Sequence, residues 1–307
     1  MDITIVIPTY NRKALLKHTL GSIMQSPMSD TRIIVVDNGS TDGTQAFLED
    51  WCATHPTVTF AAEPERCAAA ARNKGLSLVR TTWVYFFDSD DEFEDMPHKW
   101  DPAADMVFFP TRQKVENRIT TRAYTPVPDP ALHIINGMLS TQSMVFKTSW
   151  LKEIGGWNTA CKVWDDWELG ARALITNPRI EWITDKAYHT INVHSASLTG
   201  PDFKSRFKLQ LETIGQVYDS IRNASPQEAA RCRKALMLRT YILSGRLLYE
   251  GDKKASLQCR QFIQDHFGKD TGGKMAGLFL EQYTAMGLRG AWRIAAWNVG
   301  KNKNKAI

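Results

Sequence analysis

Over the first 90 residues, short apolar runs alternate with helical patterns, and this alternation constrains the fold more than any other feature of the chain. Residues 3–8 are apolar and β-branched and end at a proline. Leu15, Leu16, Leu20, Ile23 and Met24 then recur at helical spacing, with Asn11 placed to cap the helix. Residues 32–37, 58–62 and 83–87 read as three further buried strands. Between them lie a helix around Phe47, Leu48 and Trp51 and an alanine-rich helix over 66–80. Continuous apolar strands joined by helices predict a parallel sheet covered on both faces. Such sheets bind ligands beyond the carboxyl ends of their strands. Pro8-Thr9-Tyr10, Asp37-Asn38 and Asp88-Ser89-Asp90-Asp91 all fall at such ends.

The pattern loosens after Asp91. Residues 92–104 and the proline-rich stretch 125–130 read as loops, and 106–109, 118–124, 143–146, 180–183 and 187–193 as short strands. Residues 148–154 and 164–175 read as helices, separated by Gly155-Gly156. From Pro201 onward only helices are expected, over about 202–222, 226–250, 254–267, 273–286 and 288–299. Charge changes sign at the same place: residues 1–200 hold 19 basic and 24 acidic side chains, residues 201–307 hold 19 and 9. The expected division is an α/β domain over 1–200, in halves of about 1–91 and 92–200, and a basic helical region over 201–307.

Several classes are excluded or disfavoured. No apolar run approaches the roughly 18 residues of a membrane span. The N-terminus has no positively charged leader, so no signal peptide is expected. Cys52, Cys67, Cys161, Cys232 and Cys259 are scattered and form no CxxC pair. That spacing argues against a zinc site and for a reducing cytosol. No GxGxxG follows the first strand, which disfavours a dehydrogenase. The basic region carries no recognised nucleic-acid motif, and no nucleic-acid partner is expected.

Four clusters are candidates for chemistry. In an extended chain Asp88 and Asp90 face one side and Asp91 the other, a spacing that suits a hard cation such as Mg²⁺ or Mn²⁺. A solvated acidic turn explains the same residues. The run 37–44 has the glycines of a tight turn and a cap at Thr41 or Asp42. Turn chemistry leaves Asp37 unexplained: at the end of a buried strand it needs a partner, such as a nucleobase N–H or Arg12. Trp164-Asp165-Asp166-Trp167-Glu168 opens a helix, where acidic residues are favoured by the macrodipole alone. A functional reading gives one carboxylate the role of general base and the tryptophans that of a sugar platform or of core. His194 and His189 both stand near strand ends, and a lone histidine is more often structural.

Ile7-Pro8-Thr9-Tyr10-Asn11-Arg12, residues 35–44, Ala71-Arg72-Asn73-Lys74-Gly75-Leu76, Phe87-Asp88-Ser89-Asp90-Asp91, Gly155-Gly156-Trp157-Asn158 and residues 164–169 occur in that order. Together they resemble the family 2 glycosyltransferases of GT-A fold, over about residues 3–198. The resemblance implies a mostly parallel twisted sheet with a donor-binding half at 1–91 and an acceptor half at 92–200. It implies that Pro8, Thr9, Tyr10, Arg12, Asp37, Arg72 and Asp88 hold the nucleotide. Asp90 with Asp88, and His194, would hold a divalent metal, Mn²⁺ or Mg²⁺. Asp166 matches the catalytic base, with Trp157, Trp164, Asp165 and Trp167 at the acceptor or sugar. The implied activity is inverting transfer from a nucleotide sugar, a UDP-sugar by preference, to a carbohydrate or lipid-linked acceptor in polysaccharide or glycolipid synthesis. Asn192 stands where the family has arginine, and residues 63–67 depart from its Asn-x-Gly segment. A nucleotidyltransferase, and a non-catalytic peripheral membrane protein on the same fold, are the alternatives.

The last helix places Leu288, Trp292, Ala295, Ala296 and Val299 near one face, with Arg289 and Arg293 on another and Lys301, Lys303 and Lys305 following. Packing on the preceding helices is the plainer reading; weak, salt-sensitive association with the inner face of the cell membrane is the other. A homo-oligomer is compatible with both.

Overall fold

The computed structural model describes residues 1–115, 118–121, 126–193, 203–268 and 271–300. The first 90 residues form β1 (Ile3–Thr9), α1 (Lys13–Met24), β2 (Arg32–Asp37), α2 (Thr44–Thr54), β3 (Val58–Ala62), α3 (Ala68–Leu78) and β4 (Trp83–Phe86), in the order expected. There follow β5 (Met106–Phe108), β6 (Arg112–Val115), β7 (Arg118–Thr121), α4 (Pro130–Asn136), β8 (Met144–Lys147) and α5 (Thr148–Glu153). Next are α6 (Asp165–Ile175), β9 (Ile180–Trp182) and β10 (Thr190–Val193). The chain ends in α7 (Phe203–Ser220), α8 (Pro226–Tyr249), α9 (Lys253–Phe267), α10 (Thr271–Ala285) and α11 (Ala291–Val299).

Seven strands form one sheet in the order β3-β2-β1-β4-β8-β5-β9. β1 pairs in parallel with β2 and β4, and β2 with β3. β8 runs antiparallel to β4 and β5, and β9 is parallel to β5. Helices cover both faces. Ile5, Ile7 and Val35 pack with Leu16, Leu20 and Ile23 of α1. On the other face Val6 and Val36 meet α3 at Gly75, where a Cβ would lie 2.3 Å from a Val6 methyl. A second sheet has the order β10-β6-β7. β6 was unexpected because Arg-Gln-Lys-Val carries no apolar alternation. The proline-rich stretch also conceals α4, which Pro130 opens and Asp129 caps by accepting the Leu132 N–H at 3.1 Å.

Two compact units result, and they do not divide at one chain position. The first holds residues 1–126, 139–166 and 178–200; the second holds 127–138, 167–177 and 201–307. The single boundary expected at residue 200 is corrected accordingly, since α4 and most of α6 join the C-terminal helices. Tertiary packing decides this. Within the second unit Trp167 Nε1 donates to the Ile134 carbonyl at 3.2 Å, and Arg239 of α8 lies 4.6 Å over the Trp167 ring. Arg231 pairs with Asp129 at 2.6 Å.

Candidate active site

Loops at the carboxyl edge of the sheet are stitched together by their own polar residues. Asn11 sits at φ 49°, a left-handed conformation that asparagine tolerates. Its side-chain carbonyl accepts the Thr41 N–H at 2.7 Å, and its own N–H donates to Ser40 Oγ at 2.9 Å. Asp42 accepts the N–H groups of Lys13 and Thr44 at 2.9 and 3.1 Å. Asn11 therefore clasps two loops, and Arg12 rather than Asn11 takes the cap of α1. Asn38 binds the next loop, donating to the carbonyls of Glu63 and Glu65 and accepting the Cys67 N–H.

Asp37 ends β2 and is buried, accepting the Ser40 N–H at 3.2 Å. Arg12, one expected partner, instead pairs with Asp90 at 2.8 Å. Thr9 stands opposite Asp37 in the β1–β2 register. Among the described residues its buried hydroxyl has no hydrogen-bond partner, a cost that a bound ligand would remove. Tyr10 is exposed beneath the Arg66 guanidinium, 5.0 Å from its ring centre. Pro8 is half-buried.

The acidic run needs correction. Its pairing was read on an extended chain, but β4 ends at Phe86 and residues 88–91 turn, with the Asp91 N–H pointing to the Asp88 carbonyl at 3.4 Å. Residues three apart then converge. Asp88 and Asp91 share the Gln142 amide, Nε2 donating to them at 2.7 and 2.6 Å. Asp91 is buried and also accepts the Asn192 N–H at 2.7 Å. Burial, then the charges of Asp88 and Asp90, push its carboxyl up to about 8. Asp91 thus faces inward and holds a proton at neutral pH.

Arg72 of α3 joins the two ends of the site. It is 5% exposed, and its guanidinium donates to Asp88 at 2.8 Å and to Asp165 at 2.5 Å. Burial alone would weaken its protonation, but Asp165 and Asp88 raise its pKa. The guanidinium lies 4.5 Å from the centre of the Trp157 ring, which also meets Phe86 at 5.0 Å. Trp157 is 2% exposed, so it supports Arg72 and is no open sugar platform. Its backbone is locked to α3: the Trp157 N–H donates to Asn73 Oδ1 and the Asn73 amide donates to the Trp157 carbonyl. Gly156, at φ +64°, lets this approach happen, because a Cβ there would stand 2.7 Å from Asn73 Oδ1.

At the start of α6, Asp165 bonds Arg72 and accepts the Asp166 N–H at 3.1 Å. Burial raises the Asp165 pKa, Arg72 opposes, and Asp166 and Asp88 add to the rise. Asp166, half-buried, accepts the Thr141 N–H at 3.4 Å. Trp164 precedes them at φ 57°, half-buried. Trp167 is buried in the second unit and is corrected from platform to core. His189 is fully buried, bonded to Tyr85 Oη at 2.5 Å, and burial pushes it down to about 4. It is a neutral structural histidine. His194 lies outside the described residues. Gln142 is the residue that sequence reasoning missed; a lone glutamine before a short strand gives no signal.

The oxygen chemistry of Asp88 and Asp90 fits Mg²⁺ or Mn²⁺. Among the described residues no group of three or more His, Cys, Asp or Glu could hold a metal ion. Asp88 bonds Arg72 and Gln142 while Asp90 pairs with Arg12, so each carboxylate would supply at most part of an ion's shell.

Residues 4–105 match the model for Glycosyl transferase family 2, the family that the motifs resemble. An uncharacterized glycosyltransferase of Haemophilus influenzae is 24% identical over 181 residues, 54% of this chain and 60% of that protein. The uncharacterized glycosyltransferase YfnE of Bacillus subtilis is 36% identical over 91 residues, 29% of this chain and 23% of the other. The aligned part of the chain thus spans 60% of the length of the first relative and 23% of the second. S. aureus TarS 1–349, solved with UDP, superposes with a TM-score of 0.59 at 17% identity, covering 94% of this chain and 92% of that one. The mannosyltransferase PcManGT of Pyrobaculum calidifontis, solved with GDP-Man and Mn²⁺, gives 0.54 at 19% identity, covering 99% and 88%. The fold is GT-A, with C-terminal helices added.

Proposed function

We infer that the chain is an inverting glycosyltransferase that moves a sugar from a nucleotide sugar to an acceptor hydroxyl. The observation that carries this reading is Arg72, whose single buried guanidinium bonds Asp88 after β4 and Asp165 beside Asp166. One cation thereby holds a diphosphate-binding edge next to a half-buried carboxylate, the two groups that displacement at an anomeric carbon requires. Nucleotide sugars bound to TarS and PcManGT support the donor class, and UDP is preferred on the likeness to TarS.

Asp37 and the Thr9 hydroxyl would take the nucleoside, and Arg12 and Arg72 would balance charge beside the diphosphate. Asp88 and Asp90 would hold a divalent cation, which supplies positive charge to the leaving diphosphate. Asp166 accepts the proton of the acceptor hydroxyl. That oxygen bonds to the anomeric carbon from the face opposite the diphosphate, and the electron pair of the broken C–O bond leaves with the diphosphate. Asp165, bonded to Arg72, keeps the start of α6 oriented. The acceptor class is a carbohydrate or a lipid-linked carbohydrate, and the site belongs on the cytoplasmic side of the cell membrane, where nucleotide sugars are supplied.

Incubation with a panel of nucleotide sugars and Mn²⁺, with the product anomer read by NMR, tests this. An α-linked donor should give a β-linked product. Retained configuration would end the inverting assignment. Consumption of nucleoside triphosphates in place of nucleotide sugars would favour a nucleotidyltransferase.

A further inference from the structure

The C-terminal helices expose what the rest of the molecule hides. α10 has two apolar faces. Gly277 and Leu280 turn inward against α8, and a Cβ at Gly277 would lie 2.0 Å from the Tyr241 ring. On the opposite side Met275, Leu278, Phe279 and Met286 form an exposed stripe at helical spacing, with Met275 76% exposed. α11 repeats the arrangement. Ala291, Ala295 and Val299 are buried, whereas Trp292 and Trp297 are exposed, Trp297 to 84%. Trp292, on the same side as Ala295 and Val299, is 47% exposed, whereas those two residues are buried. At the turn between the helices, exposed Leu288 and Tyr249 flank Gly287, where a Cβ would stand 2.7 Å from the Tyr249 ring.

Among the described residues, the exposed charge on these helices has one sign. Residues 271–300 contain Lys274, Arg289 and Arg293, and their single acidic residue is Glu281. Glu281 is fully buried and paired with Arg260 at 2.5 Å. Lys274, Arg289 and Arg293 are exposed, and Arg293 lies 5.1 Å over the Trp292 ring. The three terminal lysines lie outside the described residues.

We propose that the outer face of α10 and α11 docks on the surface of an anionic bilayer. Tryptophan, phenylalanine and methionine enter the headgroup boundary, and Lys274, Arg289 and Arg293 meet lipid phosphates. Soluble proteins seldom leave contiguous apolar patches open to water without a partner. Charge selects the partner. A second copy in symmetric contact would set Arg289 and Arg293 against like charges, whereas an anionic headgroup layer neutralises them. Among the described residues no helix is long and apolar enough to cross a membrane. This inference does not rest on the transferase reading.

Sedimentation of the full chain with vesicles tests it without any need for turnover. Vesicles of equimolar phosphatidylcholine and phosphatidylglycerol should pellet the protein at low salt, and phosphatidylcholine alone should not. High salt should release it. The double variants Phe279→Ser with Trp297→Ser, and Arg289→Glu with Arg293→Glu, should each weaken binding more than about tenfold. All four positions are exposed, so circular dichroism and melting should be unchanged. Absence of binding to anionic vesicles overturns the proposal, as does binding of both variants as tight as that of the unaltered chain. A concentration-dependent dimer in analytical ultracentrifugation that the Phe279→Ser, Trp297→Ser variant abolishes, without vesicle binding, would assign the surface to self-association instead.

Discussion

The two units break the ordinary rule of burial in opposite directions. In the first, ionisable groups are inside: Arg72 and Asp91 are buried at the edge of the sheet. In the second, large apolar groups are outside, on α10 and α11. Charged residues are seldom fully buried unless paired, and wide apolar patches are seldom left bare. Each exception therefore marks a place where folding stability alone does not explain the residue. On the two proposals made above, the buried ionisable groups serve a charged ligand and the exposed aromatics a non-aqueous surface.

The comparison can be broken most severely at Asp166. Asp166→Asn should lower transfer by about 10²–10⁴-fold with donor affinity little changed, measured by steady-state kinetics and by calorimetry with the nucleotide sugar. Retained transfer, with loss in Asp165→Asn instead, would move the base by one residue.

Arg72→Met should come next, because it strands Asp88 and Asp165 together. Removing one partner of a buried pair costs about 3–5 kcal/mol, to be read by urea denaturation. A loss under about 1 kcal/mol would show that the first unit does not depend on its buried cation.

A pH effect follows from His189. Its folded pKa, about 4, lies below the unfolded 6.5. The neutral form is the folded one, so this contribution is complete above 6.5 and is lost as pH falls through 4. The full effect is about 3 kcal/mol. His189→Phe keeps the Tyr85 hydroxyl bonded to the Gln142 carbonyl, seen here at 2.9 Å. The variant should flatten the melting temperature between pH 6.5 and 4, and an unchanged acid slope would remove His189 as its source.

The smallest effect sharpens the contrast. Met275→Ser and Trp297→Ser should change stability by under about 0.5 kcal/mol, since neither side chain packs. A larger loss in thermal melts would mean that the outer face of α10 and α11 is core after all.

Strand and helix order in the first 90 residues was legible because it rests on local periodicity, and the edge positions of Thr9, Asp37 and Asp88 followed from it. The general family motifs were legible because short polar runs with glycine must turn in a limited number of ways. Ala71–Leu76 and Gly155–Asn158 were read as separate matches; only the fold shows that Asn73 and Trp157 exchange two hydrogen bonds across the chain. The sequence by itself also determined the charge asymmetry, which needs only counting.

Tertiary structure alone decided which carboxylates meet. The alternation rule holds for a strand, and the turn at 88–91 replaced a spacing of two with a spacing of three, uniting Asp88 with Asp91 at Gln142. It decided that Trp157 and Trp167 are core and Trp297 is not, because an amphipathic pattern states that a helix has an apolar face but not what covers it. It also drew α4 and most of α6 away from the segment that precedes residue 200, since packing partners far apart in sequence leave no local trace.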